Sequence, residues 1–352
     1  MRRGLMRWEK EELPEAALLD RVARLKTAMA GTGLDGFVLY TNLVQPSAVT
    51  FLTGFTPYWS DGLLLVPKSG APVFATALSK RVAGWISSTN PVSEIVNTPK
   101  PGAAAGRRLA ADDARRVGVL ELDRLPGGLY DEIVAAAPSI ELVDASAIFA
   151  QMRRPIDAAE RRLIERADAI AVAALAEVEA APATDAGAVA GRVEEHARLA
   201  GAEEAYIAVA ADLDSDRRLI RATPARPLAE TFALRASIAY KGSWVRRTRT
   251  FARDPARHAA VARADDWLKA IASSIEPGKP LAAQLAARIS ALAGARIESF
   301  LAESSIGSYP LEVVASSRDS HRISQVDPGF LVLTVELAID GIPWLGAMPA
   351  FA

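Results

Sequence analysis

Two arginines in a predicted β-hairpin are the residues of this chain whose type and spacing suggest binding chemistry. The segments Thr231 to Tyr240 and Trp244 to Phe251 have the pattern of two antiparallel strands joined by a short turn. Centring the hairpin between residues 240 and 241 places Arg235 opposite Arg246 on one face. Like charges there repel each other, and a bound carboxylate or phosphate would satisfy both guanidinium groups.

Cysteine and histidine chemistry is restricted. The chain contains no cysteine, which excludes disulfides, a thiolate nucleophile and thiolate metal ligands, and which suits a reducing cytoplasm. Its only histidines are His196, His258 and His321, so imidazole bases and imidazole metal sites are scarce. We predict that His196 and His258 lie on solvated helix surfaces, and we assign no role to His321.

Composition and charge bound the function further. The chain has 352 residues, half of them apolar, which predicts about two globular domains. Lysine and arginine total 41 against 42 acidic residues, so no charge excess indicates nucleic acid or a membrane surface as partner. The start lacks the apolar stretch of a secretory signal, and no run approaches the roughly 18 apolar residues of a membrane span. We therefore expect a soluble, cytoplasmic protein that binds neither nucleic acid nor membrane.

Alternating helices and strands in the first half predict an α/β layer structure. Apolar residues at helical spacing follow Pro14, and the short apolar run Gly36 to Tyr40 predicts a strand. The further strands are predicted at 62–66, 72–75 and 117–122, and the further helices at 76–86 and 129–136.

The pattern changes near residue 150, where a long helical stretch begins. We place the domain boundary there, with domains at 1–153 and 154–352. Besides the hairpin, the second domain has four predicted helices, at about 163–174, 188–199, 254–274 and 281–293. Its other predicted strands are at 205–210, 312–315 and 330–339.

Several motifs, in their order along the chain, carry a resemblance to a known family. They are LDGFVLYTN, TFLTGF, RRPIDAAERRLIERADAIA, ATPARPLAE, TRTF, IGSYPLE and VDPGFLVLTVE. The chain resembles the creatinase, prolidase and aminopeptidase P family over nearly its whole length. The resemblance implies a creatinase-type N-terminal α/β domain followed by a C-terminal pita-bread α+β domain. It also implies a homodimer of two such chains.

The family's metal ligands are mostly replaced in this sequence. The resemblance places Arg235 and Arg246 where the hairpin would carry two aspartates, and Ser304 where it would carry a histidine. Leu311, followed by Glu312, stands at the later histidine position, and the closing strand with its last acid is not recognisable. Only one ligand, Glu336, is retained. Since arginine cannot coordinate a cation, we expect no metal and no other cofactor.

What remains of the site has two interpretations. The resemblance brings Glu336 from a neighbouring strand towards Arg235 and Arg246, so that two cations flank one anion and a small anionic molecule completes the charge. Alternatively, the three residues form a structural ion triad that fills the space of the lost metals.

Other residues at the matched positions suggest further roles. Ser304 is a candidate nucleophile with Glu303 and Glu312 but no histidine beside it, and a turn serine is the alternative. Glu312 and Glu336 are candidate proton carriers. Trp244 and Tyr309 are candidate pocket walls, with plain core positions as the alternative.

A loop of the first domain is a further candidate. The segment FTPYWSDG, residues 55–62, combines aromatic and polar residues. In similar two-domain proteins this loop reaches the active site of the partner subunit, which would place Tyr58, Trp59 and Asp61 near the pocket of a homodimer. An ordinary exposed loop is the alternative.

Two functions follow as hypotheses. The first is a metal-independent hydrolase of a C–N bond in a small carboxylate-bearing compound, in which Arg235 and Arg246 bind the carboxylate and Glu336 or Glu312 transfers protons. The second is a protein of the same fold without catalysis, which binds a small anion or a partner.

Overall fold

The computed structural model describes residues 9–57, 59–180, 185–221, 225–318, 327 and 329–352. The chain divides into two compact units. Unit 1 comprises the described parts of Met1–Glu160 with Ser305–Pro310, and unit 2 comprises those of Arg161–Ser304 with Leu311–Ala352. The boundary predicted at residue 153 stays a prediction.

Unit 1 is a six-stranded sheet with helices. Its strands are β1 Gly36–Thr41, β2 Gly62–Pro67, β3 Val73–Thr76, β4 Glu94–Asn97, β5 Arg116–Val119 and β6 Glu141–Asp144. They run in the order β4-β3-β2-β1-β5-β6, with β1, β5 and β6 parallel. Its helices are α1 Glu15–Thr32, α2 Ser47–Thr53, α3 Ala83–Thr89, α4 Pro101–Ala111, α5 Gly127–Ala136 and α6 Ser146–Arg153.

Helix α1 shows why the amphipathic pattern of unit 1 folds as it does. Leu18, Val22, Leu25 and Met29 recur at helical spacing and are buried on one side of the helix. The helix ends at Gly33, whose φ of 69° is the left-handed conformation that a glycine C-cap adopts without strain. The predicted helix at 76–86 is wrong at its start, because Thr76 ends β3 and the α-helix begins at Ala83.

Unit 2 is an eight-stranded sheet covered by helices on one face. Its helices are α7 Ala158–Ala180, whose first three residues belong to unit 1, α8 Ala186–Leu199, α9 Pro255–Ala272 and α10 Leu281–Ile289. Its strands are β7 Glu204–Ala210, β8 Ile220–Arg221, β9 Thr231–Tyr240, β10 Ser243–Ala252, β11 Ala295–Ser304, β12 Glu312–Ser316, β13 Phe330–Ile339 and β14 Ile342–Phe351. Their order is β12-β11-β13-β14-β10-β9-β7-β8.

Strand β13 separates the two faces of this sheet. Leu333, Val335 and Leu337 are fully buried in a core cluster that includes residues of α9 and α10. Because side chains alternate along a strand, Thr334 and Glu336 lie on the opposite face. That opposite face, called the open face below, carries the candidate site.

Strand β14 corrects one expectation. The closing strand was not recognisable in the sequence, yet Ile342–Phe351 pairs along its whole length with β13 and also contacts β10. It contains no acidic residue, so it closes the sheet without supplying a carboxylate. In the described part of the chain, no helix is long and apolar enough to cross a lipid bilayer.

Candidate functional site

The hairpin of β9 and β10 has a different register from the one predicted. Tyr240 pairs with Ser243, so the turn consists of Lys241 and Gly242, whose φ values are 47° and 78°. Positive φ at both positions is typical of the tight two-residue turn that matches the twist of a hairpin. The predicted hairpin centre is therefore wrong by one residue, which moves each predicted partner by two.

This register makes Arg235 and Arg246 diagonal neighbours. Arg246 lies opposite Ser237, and Arg235 lies opposite Thr248. The expectation that the two arginines face each other directly is wrong. Both still lie on one face, and diagonal pairs of this kind are about 7–8 Å apart at the backbone.

The arginines share the open face with the acid of β13. Ala347 of β14 pairs with both Thr248 of β10 and Thr334 of β13, so these side chains lie on the same face. Arg246 and Glu336, each two residues away from these threonines, lie on it as well. The sheet thus places residues about 90 positions apart in the sequence on one face.

Arg246 pairs with Glu303, a residue predicted only as a possible partner of Ser304. Its Nη1 donates hydrogen bonds to both carboxylate oxygens of Glu303, which is 6% exposed. Its Nε donates to Ser237 Oγ at 3.3 Å. Because Glu303 neutralises Arg246, the proposed triad in which Glu336 alone serves both arginines is wrong for Arg246. The signal for Glu303 was its place just before Ser304, in a strand that was not predicted.

Arg235 is held differently. Its Nε donates to Thr248 Oγ1 at 3.2 Å, and no carboxylate of the described residues lies within ion-pairing distance of 4 Å. Burial, followed by the nearby Arg246 guanidinium, lowers the pKa of Arg235 to about 10, although Glu303 and Glu336 act in the opposite direction. Arg235 is thus a desolvated cation whose charge is only partly compensated.

Two groups of β13 on the open face also lack partners. Glu336 is half-buried and forms no ion pair with any residue that the structure describes. The hydroxyl of Thr334 is buried, with the residue 6% exposed, and it has no hydrogen-bond partner within the described ranges. Unsatisfied buried polar groups are rare, so this pair is where a ligand would find donors and acceptors.

The donor set does not fit a pair of metal ions. Guanidinium groups stand at both hairpin positions, and the oxygens of Glu303 are engaged by Arg246. Among the described residues, no group of three histidine, cysteine or acidic side chains is close enough to hold an ion. The chemistry available on the open face is therefore oxyanion binding by arginine and proton transfer by a carboxylate.

Ser304 and Glu312 face each other across the pairing of β11 with β12. The Ser304 hydroxyl donates to the Phe330 carbonyl oxygen at 2.6 Å, so its proton is directed at the backbone and not at a general base. Glu312 is partly buried. Their catalytic roles stay predictions.

Trp244 lies two residues before Arg246 on β10, so both side chains lie on the open face of the sheet. Trp244 is 9% exposed and stacks on Tyr206 of β7, with ring centroids 5.6 Å apart. The guanidinium of Arg221, an exposed residue, lies 3.8 Å from the centre of the Tyr206 ring. Burial of Trp244 fits a packing role, and no motif in the sequence indicated Tyr206 or Arg221.

The remaining candidates belong to unit 1. Trp59 is 51% exposed and stacks on Trp85, with centroids 6.3 Å apart. Burial, with a contribution from Asp61, raises the pKa of Tyr40. The Arg124 guanidinium lies 4.8 Å from the ring centre of Tyr309. Their roles at a pocket stay predictions.

Tyr58, the first aromatic residue predicted for the loop, lies outside the described residues.

Comparison with known proteins identifies the first domain. The sequence profile of the creatinase/prolidase N-terminal domain matches residues 21–154. These residues form a creatinase/prolidase N-terminal domain. No curated protein has a sequence that matches the chain.

Solved structures similar to the chain extend this domain to a two-domain fold. An Xaa-Pro dipeptidase from Bacillus anthracis superimposes with a TM-score of 0.69 at 18% identity, over 94% of this chain and 93% of that chain. An X-Pro aminopeptidase from Thermotoga maritima MSB8 superimposes with a TM-score of 0.72 at 15% identity, over 94% of this chain and 97% of that chain. A prolidase from Pyrococcus furiosus superimposes with a TM-score of 0.65 at 14% identity, over 93% of this chain and 94% of that chain.

At these identities the similarity establishes the fold. The chain consists of a creatinase/prolidase N-terminal domain followed by a pita-bread domain, which confirms the predicted fold class. The structures named above share this fold, and a shared fold does not by itself assign an activity.

Proposed function

We propose that the protein is a metal-independent hydrolase that cleaves a C–N bond in a small carboxylate-bearing compound bound on the open face of unit 2. The observation that carries the proposal is Arg235, a partly buried guanidinium without a carboxylate within 4 Å among the described residues. A ligand carboxylate would supply the missing counter-charge, and a desolvated arginine binds oxyanions more strongly than a neutral donor does.

Glu336 is the proposed proton carrier. It lies on the same face as Arg235 and has no ion-pair partner in the part of the chain that the structure describes. In the proposed reaction Glu336 takes a proton from water, the water oxygen attacks the carbonyl carbon, and Glu336 returns the proton to the departing nitrogen. The products are a carboxylic acid and an amine. The Thr334 hydroxyl, which has no hydrogen-bond partner among the described residues, is the proposed donor to the substrate.

One specific observation favours a second candidate, a small-anion-binding protein without catalysis. The Ser304 hydroxyl is directed at a backbone carbonyl, and the open face offers no histidine base in the described residues. In this case Arg235 binds the ligand and no bond is broken.

Binding and turnover of N-acetylglycine separate these possibilities. We expect calorimetry to show binding of N-acetylglycine but not of N-methylacetamide, which lacks the carboxylate. Arg235→Met is expected to weaken binding about tenfold or more, the loss of one charge-assisted contact. Unchanged binding by this variant would contradict the carboxylate site.

Acetate release, followed by NMR, tests the reaction. Wild type is expected to release acetate, whereas Glu336→Gln is expected to bind N-acetylglycine without releasing it. Binding by wild type without turnover of N-acetylglycine or related amides supports the second candidate. Metal independence is tested by elemental analysis of protein purified without chelator, where stoichiometric manganese, cobalt, iron or zinc would contradict it.

Assembly and location are part of the proposal. We propose a cytoplasmic homodimer, supported by the absence of cysteine and by the resemblance of the two-domain build. Light scattering coupled to size-exclusion chromatography tests the dimer, and cell fractionation tests the location.

A further inference from the structure

A cleft on the helix-covered face of unit 2 lies apart from the open face. Two adjoining cavities of about 390 and 480 Å³ lie between α7 and α9 above β10. They share Arg249, Ala262 and Asp265, so the two cavities meet at these residues. Either volume is within the range that holds a small organic ligand.

The walls of the cleft are mainly apolar. They include Val172, Leu175, Val178, Phe251, Leu268 and Met348. Phe251 stacks on Phe232 with centroids 5.4 Å apart. Such walls suit an aromatic or aliphatic body. The charged groups of the lining then decide which head group is bound, and they are Glu179, Arg247, Arg249, Arg253, Asp265, Asp266 and Lys269.

The arginines of β10 that face the helices differ in how completely they are paired. Arg247 donates from Nε and Nη2 to the two oxygens of Asp168, at 2.6 and 2.8 Å, so this edge of its guanidinium forms a bidentate ion pair. Arg249 donates only from Nη2, to Glu179 at 2.6 Å. Its Nε lies 3.7 Å from Asp265, which is too far for a hydrogen bond.

Arg249 therefore keeps unused donors at the junction of two cavities. Among the described residues, Glu179 and Asp265 are the carboxylates within 4 Å of it. Its guanidinium also lies 5.1 Å from the ring centre of Phe251, which places a cation beside an aromatic wall. A ligand whose carboxylate binds the unused edge of the Arg249 guanidinium would place its apolar part in one of the two cavities.

Asp265 competes for the same edge of Arg249. Its Oδ1 accepts a hydrogen bond from Trp344 Nε1 at 2.9 Å. Burial raises the pKa of Asp265 to about 6, despite the opposing effects of Trp344 and Arg249. The charge of Asp265 is thus poorly stabilised, and Glu179 is the close carboxylate partner of Arg249.

We propose that the cleft between α7 and α9 is a second ligand site, which binds a small aromatic or aliphatic carboxylate through Arg249. The site is distinct from the open face and does not depend on the proposed hydrolase. The ligand carboxylate occupies the Nε edge of Arg249, and the hydrocarbon part packs on Phe251 and the aliphatic residues of α7.

Calorimetry with phenylacetate tests the site in the full-length protein. Wild type is expected to bind phenylacetate and not phenylethanol, which lacks the charge. Arg249→Gln is expected to weaken binding about tenfold or more, whereas Arg247→Gln, whose charge is already paired, is expected to change it less than about threefold. Arg235→Met, on the open face, is expected to leave this binding unchanged.

A gain of affinity provides a test that a damaged fold cannot imitate. Asp265→Asn removes the competing carboxylate but keeps an oxygen for the Trp344 indole, so phenylacetate is expected to bind about threefold or more tighter at pH 8. Asp266→Asn, the adjacent residue in the same cleft, is the matched control with little change.

Three outcomes overturn the proposal. They are no binding of phenylacetate by wild type, equal binding by wild type and Arg249→Gln, and loss of binding in Arg235→Met alone, which would assign phenylacetate to the open face.

Discussion

Arg235 and Arg246 lie on the same face of one sheet, yet their surroundings predict opposite effects of removing each charge. Arg246 is the partner of Glu303, a carboxylate that is 6% exposed. Without Arg246 that carboxylate would be buried and unpaired. We expect Arg246→Gln to lower the free energy of unfolding by about 2–3 kcal/mol, measured by urea denaturation.

The double variant Arg246→Gln/Glu303→Gln is the control for this prediction. Removing both charges is expected to recover much of the lost stability, since no buried charge is left without a partner. Losses that simply add in the double variant would contradict the pair.

Arg235→Met is expected to stabilise the ligand-free protein. The pKa of Arg235 is lowered to about 10, so its protonated form is destabilised in the folded state at every pH below that value. Replacing it with an apolar side chain of similar length removes this penalty, and a gain of about 1 kcal/mol is expected in thermal unfolding. A lower midpoint than wild type would show that Arg235 is a structural cation.

Asp265 predicts a pH dependence of stability. Its folded pKa of about 6 lies above the usual value of 3.8, so the folded state holds the proton more tightly than the unfolded state. Its contribution is fully present below about pH 4 and is lost as the pH rises through 6. Asp265→Asn is expected to unfold at a higher temperature than wild type at pH 8 and to match it near pH 4. An unchanged difference across this range contradicts the assignment to Asp265.

At the scale of elements, the β9–β10 hairpin was predicted from its alternation, but its register was not. Two positive φ values at Lys241 and Gly242 shift the pairing, and the sequence Tyr-Lys-Gly-Ser marks this turn less clearly than Asn-Gly does. The face shared by Arg235 and Arg246 survived the error because the shift was an even number of residues.

Strands β11 and β14 were not predicted from the sequence, for different reasons. In β14, two prolines and a glycine interrupt the apolar alternation that indicates a strand. In β11, charged residues and a bulge near Ile297 disturb the pattern. Missing β11 hid Glu303, which meets Arg246 across 57 positions of sequence.

Strand β14 itself carries a testable packing feature. The ring of Trp344 lies over Gly346, and a Cβ added at Gly346 would collide with this ring and lie 3.0 Å from Leu268 Cδ2. Since Trp344 is 1% exposed, it has little space to move. We expect Gly346→Ala to destabilise the protein by about 2 kcal/mol in urea denaturation.

Gly191→Ala is the matched control. Gly191 lies inside α8 with open space around its Cα, so alanine is expected to stabilise the helix by about 0.5 kcal/mol. Equal effects of the two substitutions would contradict the packing of Trp344 on Gly346.

At the scale of the whole molecule, the open-face residues come from β9, β10, β11 and β13. The sequence named Arg235, Arg246 and Glu336 through the resemblance of motifs, which fixes positions along the strands. It did not fix which acid pairs with which arginine, because that depends on the order and bulges of strands far apart in the chain.

The separate apolar cores of the two units bear on how the whole chain unfolds. Leu25 belongs to a core cluster within unit 1 and Leu333 to one within unit 2, and both are fully buried. Because each unit has an apolar core of its own, we expect two transitions in calorimetry of the full chain. Leu25→Ala should lower the midpoint of one transition and Leu333→Ala that of the other, each by the equivalent of about 2–5 kcal/mol. A single transition that both substitutions shift equally would show that the chain unfolds as one cooperative body.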